Sequence, residues 1–418
     1  MTSQAAARRE YDALDVSDLG FWSTTMEERE KTFRVLRQER PLSWHRPMQG
    51  GLLLPEIGGL WVATSHELIA KISKTPETFS SARGVTMEDM SEDVNEAAAS
   101  FLAMDAPKHF VLRKIVSSAF TPKRIAQIRD QIRAQASTIV DDLIRAGEGD
   151  FVELVAKRLP MWTIFEMLGL EEDLREQAAH HAEEMVAWND ADVACGRHPL
   201  ELLNEALVGL LSIGIEFAGR RRAQPRGDLM TALVGAEVDG RGLTDDEIGA
   251  FFVLLSVAGN DTTRNTTSLT AKAFQDFPQQ QELLLTDFDG LIATAVEEFV
   301  RFASPVMTFR RTVTRDTVLG GQELREGDWV VMVYSSGNRD ERAFPRPWEF
   351  DITRNPNPHQ GFGGGGPHYC LGNFVAKIQL REIFDQLLHR APNLRVGEPE
   401  FLTGCFMRAV KSMPCTVD

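Results

Sequence analysis

Positive charge is scarce in this chain: 45 Lys and Arg stand against 61 Asp and Glu, a formal charge of −16 at pH 7. That balance, with no basic tail to reverse it, argues against a general nucleic-acid or anionic-membrane binder. Cysteine is sparse as well. The four present, Cys195, Cys370, Cys405 and Cys415, form no CxxC pair, which excludes a disulfide framework, disfavours a zinc site and suits a reducing compartment. Long hydrophobic runs are missing. The opening stretch MTSQAAARREYDALDVSDLG has no apolar core, so it reads as neither secretory signal nor membrane anchor. The longest apolar run, IGAFFVLLSVAG (248–259), is too short to span a bilayer. A cytoplasmic location is the default expectation. No GxSxG or HExxH occurs, and His180–His181 reads as an exposed helical pair, which leaves a hydrolase or zinc enzyme without support. No repeat or low-complexity linker offers a place to divide residues 1–418, so one domain is expected.

What remains is an ordinary globular composition, 43% hydrophobic and 25% charged, ample for a large core. Residues 51–64 read as short strands around a Pro/Gly turn. From about residue 105 to 300 the pattern is mostly helical, with breaks near Pro160, Pro199 and Pro225. Residues 306–335 read as extended, EGDWVVMVYSS being the best strand. Helix returns after Cys370. The spacing predicts a mainly α architecture, a large helical body with small β-sheets at one side.

One helix stands out. Thr244 and Glu247 form a capping box, and Pro278 stops the pattern beyond AKAFQDF, predicting roughly 45 Å of helix. An apolar helix this long should cross the core, yet its middle carries AGNDTTRN (258–265). Threonine hydroxyls bend helices by bonding the carbonyl four residues back, and Gly259 permits close approach. A polar notch halfway along a buried helix points to a site, with small Ala258 and Gly259 facing a cavity. The plainer reading makes Thr262 a back-bonded helical threonine and Asp261 an ion-pair partner of Arg264.

The second unusual stretch is GFGGGGPHYCLG (361–372). A cysteine just before a helix lies near the positive end of the helix dipole and near unpaired N–H groups, both of which favour thiolate. The preceding glycines let the backbone turn tightly and press against something flat.

That loop resembles the haem-binding loop of the cytochrome P-450 superfamily, in which Phe and Gly precede a Cys followed by x-Gly. The resemblance implies Cys370 as the thiolate ligand of haem iron, His368 on a haem propionate, and haem b (iron protoporphyrin IX) as cofactor. Phe362 lies eight residues before Cys370 where the common pattern has seven, so the extra glycine is expected to bulge the loop.

Three more stretches agree in order. AGNDTT resembles the family's oxygen-binding notch, which assigns Asp261 and Thr262 to dioxygen protonation and Gly259 to the cofactor side. EEFVR (297–301) carries the family's E-x-x-R, with Arg354 of FDITR as the third member of a structural Glu298–Arg301–Arg354 cluster. MDAPKHFVLRKIVSSAFTP (104–122) resembles the helix crossing the haem edge, which matches His109 and Arg113 to propionate contacts. Arg311 matches another such arginine, with adjacent Arg310 as the alternative.

The resemblance implies a haem-dependent monooxygenase that inserts one atom of O2 into an unactivated C–H bond of an apolar substrate. The loop and the DGLIATAVEEFVRFASPV stretch look similar to mycobacterial members that oxidise terminal carbons of branched lipids or sterol side chains. Omega-hydroxylation of a methyl-branched or isoprenoid-like chain is therefore expected, with another hydrophobic small molecule as the alternative. Residues 81–103 and 160–210 are expected to roof the pocket. No flavin or iron–sulfur segment follows Cys370, which implies a separate ferredoxin and ferredoxin reductase. Lys114, Lys123, Arg124, Arg129 and Arg133 form a basic stretch suited to docking that acidic partner. A peroxygenase would lack the acid–threonine pair, and a haem-binding sensor would not need it.

Overall fold

The computed structural model describes residues 9–50, 57–90, 92–117, 122–188, 190–238 and 240–417. The helices that position the site are α1 (His66–Ser73), α2 (Glu92–Ala99), α3 (Lys108–Ser117), α4 (Pro122–Ala146), α5 (Arg158–Leu168), α6 (Glu172–Val186), α7 (Pro199–Ala223), α8 (Asp245–Asp276), α9 (Phe288–Ala303) and α10 (Asn373–Arg390). The strands that matter most are β1 (Leu42–His45), β2 (Leu60–Ala63), β3 (Phe79–Ser80), β4 (Thr308–Val313), β5 (Trp329–Val333), β6 (Glu400–Phe401) and β7 (Val410–Ser412).

Helix α8 forms as its ends dictate. The Thr244 hydroxyl accepts from the Glu247 N–H at 3.2 Å, and the Glu247 carboxylate accepts from the Thr244 N–H at 3.0 Å. It runs 32 residues to Asp276, and Pro278 opens a new helix. Its neighbours include α2, α5, α6, α7, α9 and α10. At its C-terminal half, Phe274 meets Phe299, Phe350 and Phe384 edge-on at 5.4–5.7 Å between ring centroids, and α4, α9 and α10 join that apolar cluster. A second cluster gathers α5, α6, α7 and the N-terminal half of α8. The notch therefore falls between two cores.

The small sheets differ in place: the strand Val410–Ser412 packs on α8, and Val396, Val410 and Cys415 join its C-terminal cluster. The largest has the order β1-β2-β5-β4-β3, with β5 parallel to β2 and antiparallel to β4. The best expected strand ends earlier than its sequence reading, because Tyr334–Gly337 form a short helix rather than continuing β5. Within the expected helical region, Glu148–Asp150 and the Glu237–Gly242 hairpin are small β elements. Pro160 lies inside the first turn of α5 and Pro199 opens α7, so the prolines start these helices as often as they end them. Of the expected N-terminal strands, Leu60–Ala63 forms β2, while residues 51–56 lie outside the described residues.

Helix α7 alone among the described residues is long and apolar enough to cross a membrane by length and composition. It packs instead on α6 and α8 through Leu202, Leu210, Ile213 and Phe217. Arg221, buried at its end, is held by Asp228 at 2.5 Å and Glu171 at 3.1 Å.

Candidate functional site

The notch in α8 turns out to be divided. Ala258 is exposed and Thr262 half-buried even though both sit at the midpoint of a core helix, and both line an internal cavity. Gly259 does not face that cavity, contrary to the sequence expectation. A Cβ there would stand 2.5 Å from Ile164 Cδ1, so the glycine exists to let α5 close on α8. The plainer readings of the polar pair are both realised. The Thr262 hydroxyl donates to the Ala258 carbonyl at 2.9 Å, and Asp261, fully buried, lies 3.3 Å from Arg264 Nη1. Burial pushes the Asp261 carboxyl up to about 6; Arg264 on its own helix pulls it down, and Glu183 on α6 pushes it further up.

Cys370 lies three residues before Asn373, the first residue of α10, and the N-cap Gly372 offers no side-chain cap. The Cys370 N–H donates to the Phe362 carbonyl at 2.9 Å, so the loop closes on itself despite its extra residue. Phe362 is buried in the cluster against which Cys370 packs. The glycines serve a neighbour other than the one expected. A Cβ on Gly364 would stand 2.4 Å from Ser73 Oγ, and one on Gly366 would stand 2.1 Å from the Ser73 carbonyl. The Gly run therefore presses against the end of α1. Burial raises the Cys370 thiol, against the pull of the Gly372 N–H, of Arg113 and of the Asn373 N–H.

A basic ledge flanks this loop. His109 and Arg113 come from one face of α3, Arg311 from β4, and His368 from the loop. The His109 and His368 rings lie 4.2 Å apart between centroids. Arg113 donates to the Tyr369 carbonyl, and Ser81 Oγ meets His368 Nε2 at 3.2 Å. Strand alternation separates Arg310 from Arg311. Arg310 bonds the Arg83 carbonyl and stacks 3.4 Å over Trp329. Arg311 reaches the histidines, whose protonation it opposes. Burial first, then these cations, lowers His109 to about 4 and His368 to about 2. Asp105 faces the group but is tied to Ser80 and to the Ser81 N–H.

This donor set fits a haem. His109 Nε2 and His368 Nδ1 are buried without a hydrogen-bond partner, and they sit among cations that lack a free carboxylate, as propionate groups require. A cysteine sulfur adjoins them, and the apolar Leu371 that follows it packs against the second core cluster, as Leu254 and Val257 of α8 do.

Behind the loop, the expected E-x-x-R cluster is formed. The fully buried Glu298 accepts two bonds from Arg301, each 2.7 Å, and one from Arg354 at 3.2 Å. Both arginines also donate to backbone carbonyls, Arg301 to Asn338 and Pro347, Arg354 to Pro345. The cluster pins the segment leading into the cysteine loop.

The cavity measures about 270 Å3. Its walls include Val85–Leu102 and residues between Met185 and Leu207, as the sequence reading anticipated. Two walls were missed: Leu402–Ala409, just before β7, and the pair Leu19 and Met48. No local pattern marks either, because they are brought in by long-range packing. Among the described residues no group of three His, Cys, Asp or Glu is arranged for a metal ion, His180 and His181 included. These two histidines, one exposed and one half-buried against Gly209, both pair with Glu184.

Comparison with known proteins places this geometry in a class. Residues 215–391 match the Cytochrome P450 family. A methyl-branched lipid omega-hydroxylase of Mycobacterium tuberculosis is 37% identical over 410 residues, 96% of this chain and 94% of the relative. A steroid C26-monooxygenase of Mycolicibacterium smegmatis is 38% identical over 385 residues, 90% of this chain and 87% of the relative. A Mycobacterium marinum cytochrome P450 solved in complex with pseudoionone is 49% identical and superposes with a TM-score of 0.95, covering 98% of this chain and all of that one. The fold and the cysteine site define a haem-thiolate monooxygenase. The chain belongs to the cytochrome P450 family.

Proposed function

We propose that residues 1–418 form one haem-thiolate monooxygenase domain that hydroxylates the terminal carbon of a methyl-branched lipid, isoprenoid or sterol side chain. The observation that carries this reading is the apolar cavity that reaches Ala258 and Thr262 at the notch of α8. The names of the mycobacterial relatives support the substrate class. The pseudoionone complex favours one further reading, a smaller terpenoid in the same cavity.

Cys370 would hold the iron of haem b through sulfur, while His109, Arg113, Arg311 and His368 would hold its propionates. Phe362 shields the sulfur side of the loop. The bound haem supplies the reduction of O2 and the transfer of one oxygen atom to a C–H bond. The chain's own part is orientation, dryness and protons. The Thr262 hydroxyl spends its proton on Ala258 and turns its lone pairs to the cavity, where they accept from a water. Asp261, with its carboxyl near 6, both takes up and releases protons close to neutrality. The acid–threonine pair favours O2 chemistry over peroxygenase or sensor roles.

Electrons come from a separate ferredoxin and its reductase in the cytoplasm, a compartment that suits four unpaired cysteines. Lys114 is exposed on α3, and Arg129 and Arg133 stay about half exposed on α4. Two exposed aromatic residues, Phe110 on α3 and Phe374 on α10, lie on the elements that frame the cysteine loop. The side chains of Lys123 and Arg124 lie outside the described residues. Basic groups around exposed apolar rings suit a transient acidic partner.

The test is the carbon monoxide difference spectrum of the reduced protein beside Cys370→Ala. A strongly red-shifted Soret band in the wild type, lost in the variant, is expected; a histidine-type spectrum or no haem overturns the mechanism. Product analysis with a methyl-branched lipid then reports the carbon attacked.

A further inference from the structure

Two adjacent carboxylates stand on α9, and only Glu298 belongs to the buried arginine cluster. Glu297 turns to the cysteine loop instead. Its carboxylate accepts from His359 Nε2 at 2.8 Å and from Lys377 Nζ of α10 at 2.5 Å. The other ring nitrogen fixes the tautomer. His359 Nδ1 accepts the Gly361 N–H at 3.2 Å, so Nε2 carries the proton donated to Glu297.

The three side chains close on one ring. The His359 ring lies 5.6 Å from that of Phe362 between centroids, and Lys377 Nζ lies 5.3 Å from the Phe362 centroid. A Cβ on Gly361 would stand 2.5 Å from Val300 Cγ1, so the start of the loop is pressed onto the same helix that carries Glu297. Phe362 in turn receives the Cys370 N–H on its carbonyl. Both charges are felt in the loop. Burial and then Glu297 raise the Tyr369 hydroxyl, while Lys377 is among the groups that oppose the rise burial imposes on the Cys370 thiol. Burial disfavours the Glu297 anion too, but His359 and Lys377 hold its carboxyl below the ordinary range.

A positive charge near a redox centre favours the electron-rich state, and a negative charge disfavours it. Joined in one ion pair, Glu297 and Lys377 offset each other; removing either leaves its partner's charge beside the loop.

We infer that Glu297 and Lys377 are positioning residues, a balanced charge pair held by His359 against Phe362, that set how readily a haem bound at Cys370 accepts an electron. The inference rests on Cys370 as the haem ligand and adds a control on that same site.

The test is a spectroelectrochemical titration of the haem-loaded protein with small-molecule mediators at low salt, beside urea unfolding of each variant. Lys377→Met is expected to shift the reduction equilibrium at least about threefold toward the oxidised form, and Glu297→Gln at least about threefold toward the reduced form. Each is a potential change of about 28 mV, tenfold being 59 mV for one electron. The double variant Glu297→Gln/Lys377→Met should return close to the wild type in potential even where its stability loss is the sum of the two. Lys377→Arg should keep the wild-type potential. Unmoved potentials with altered unfolding, or shifts of one sign in both single variants, overturn the inference and leave the pair merely structural. If Glu297→Gln fails to retain haem, Lys377→Met against Lys377→Arg still decides the role of the charge. A wild type that lacks the thiolate Soret band sinks the haem reading itself, and the inference with it.

Discussion

At the scale of the residue, Asp261 and Glu298 are both buried carboxylates with opposite circumstances. Glu298 is satisfied by two arginines, and its removal strands both of them in the interior. Glu298→Ala is therefore expected to cost about 3–5 kcal/mol, read from urea unfolding. Asp261 has only Arg264 at 3.3 Å, and its folded-state carboxyl stands at about 6 against an ordinary 3.8. A raised folded value means that the folded protein holds a proton the unfolded chain has released. Stability is then lost as pH climbs from the unfolded value through the folded one, by up to about 3 kcal/mol. Asp261→Asn removes that slope, so wild type minus variant stability should fall between about pH 4 and pH 7. A flat difference would show that Arg264 and Glu183 balance otherwise. Turnover should also lose a limb near pH 6 in the variant. The Glu298–Arg301 pairing was legible through the resemblance of its stretch to the family's E-x-x-R, since the spacing alone is common on surface helices. Arg311 was not separable from Arg310, since only the register of β4 against β5 decides which side each takes.

At the scale of the element, α8 shows how a functional notch coexists with a stable helix. Its capping box and its stop were readable from the chain, but the direction of Gly259 was not, because the residue that fills its missing side chain sits on α5. Gly259→Val should overpack that crossing and cost about 1–3 kcal/mol by thermal or urea unfolding. Adding Ile164→Ala should recover much of the loss, a coupling that a merely local helix effect would not give. The Gly-rich loop teaches the same lesson. Its flexibility was evident in the sequence, but its partner, the Ser73 end of α1, was not, and Gly366 with φ +77° leaves no space for any side chain.

At the scale of the whole molecule, charge is distributed against the net balance. An acidic chain keeps a basic, partly aromatic face near its cysteine loop. Arg129 and Arg133 already pair with Glu382, which is buried, and reversing their charge would unsettle α10 as well as any partner. Lys114 is the cleaner probe. Lys114→Glu should slow reduction by an acidic ferredoxin several-fold at low salt, with the effect fading as salt rises, and leave dithionite reduction unchanged. The mainly α body with lateral sheets was legible from periodicity and caps. The walls of the cavity were legible between Val85 and Leu102 and between Met185 and Leu207, but not at Leu402–Ala409, which reach it through tertiary packing alone.

That last wall has a consequence for how the protein comes into being. Translation delivers the helical body, the notch and Cys370 before the segment around Phe406 exists. Arg264 and Asn265, the last two residues of the notch, wait for Val410 to supply their backbone partners. The nascent chain can thus acquire its helices, and the cysteine that would grip a haem, while the lipid compartment still gapes, so the pocket takes its final shape only once Leu402–Ala409 has been made.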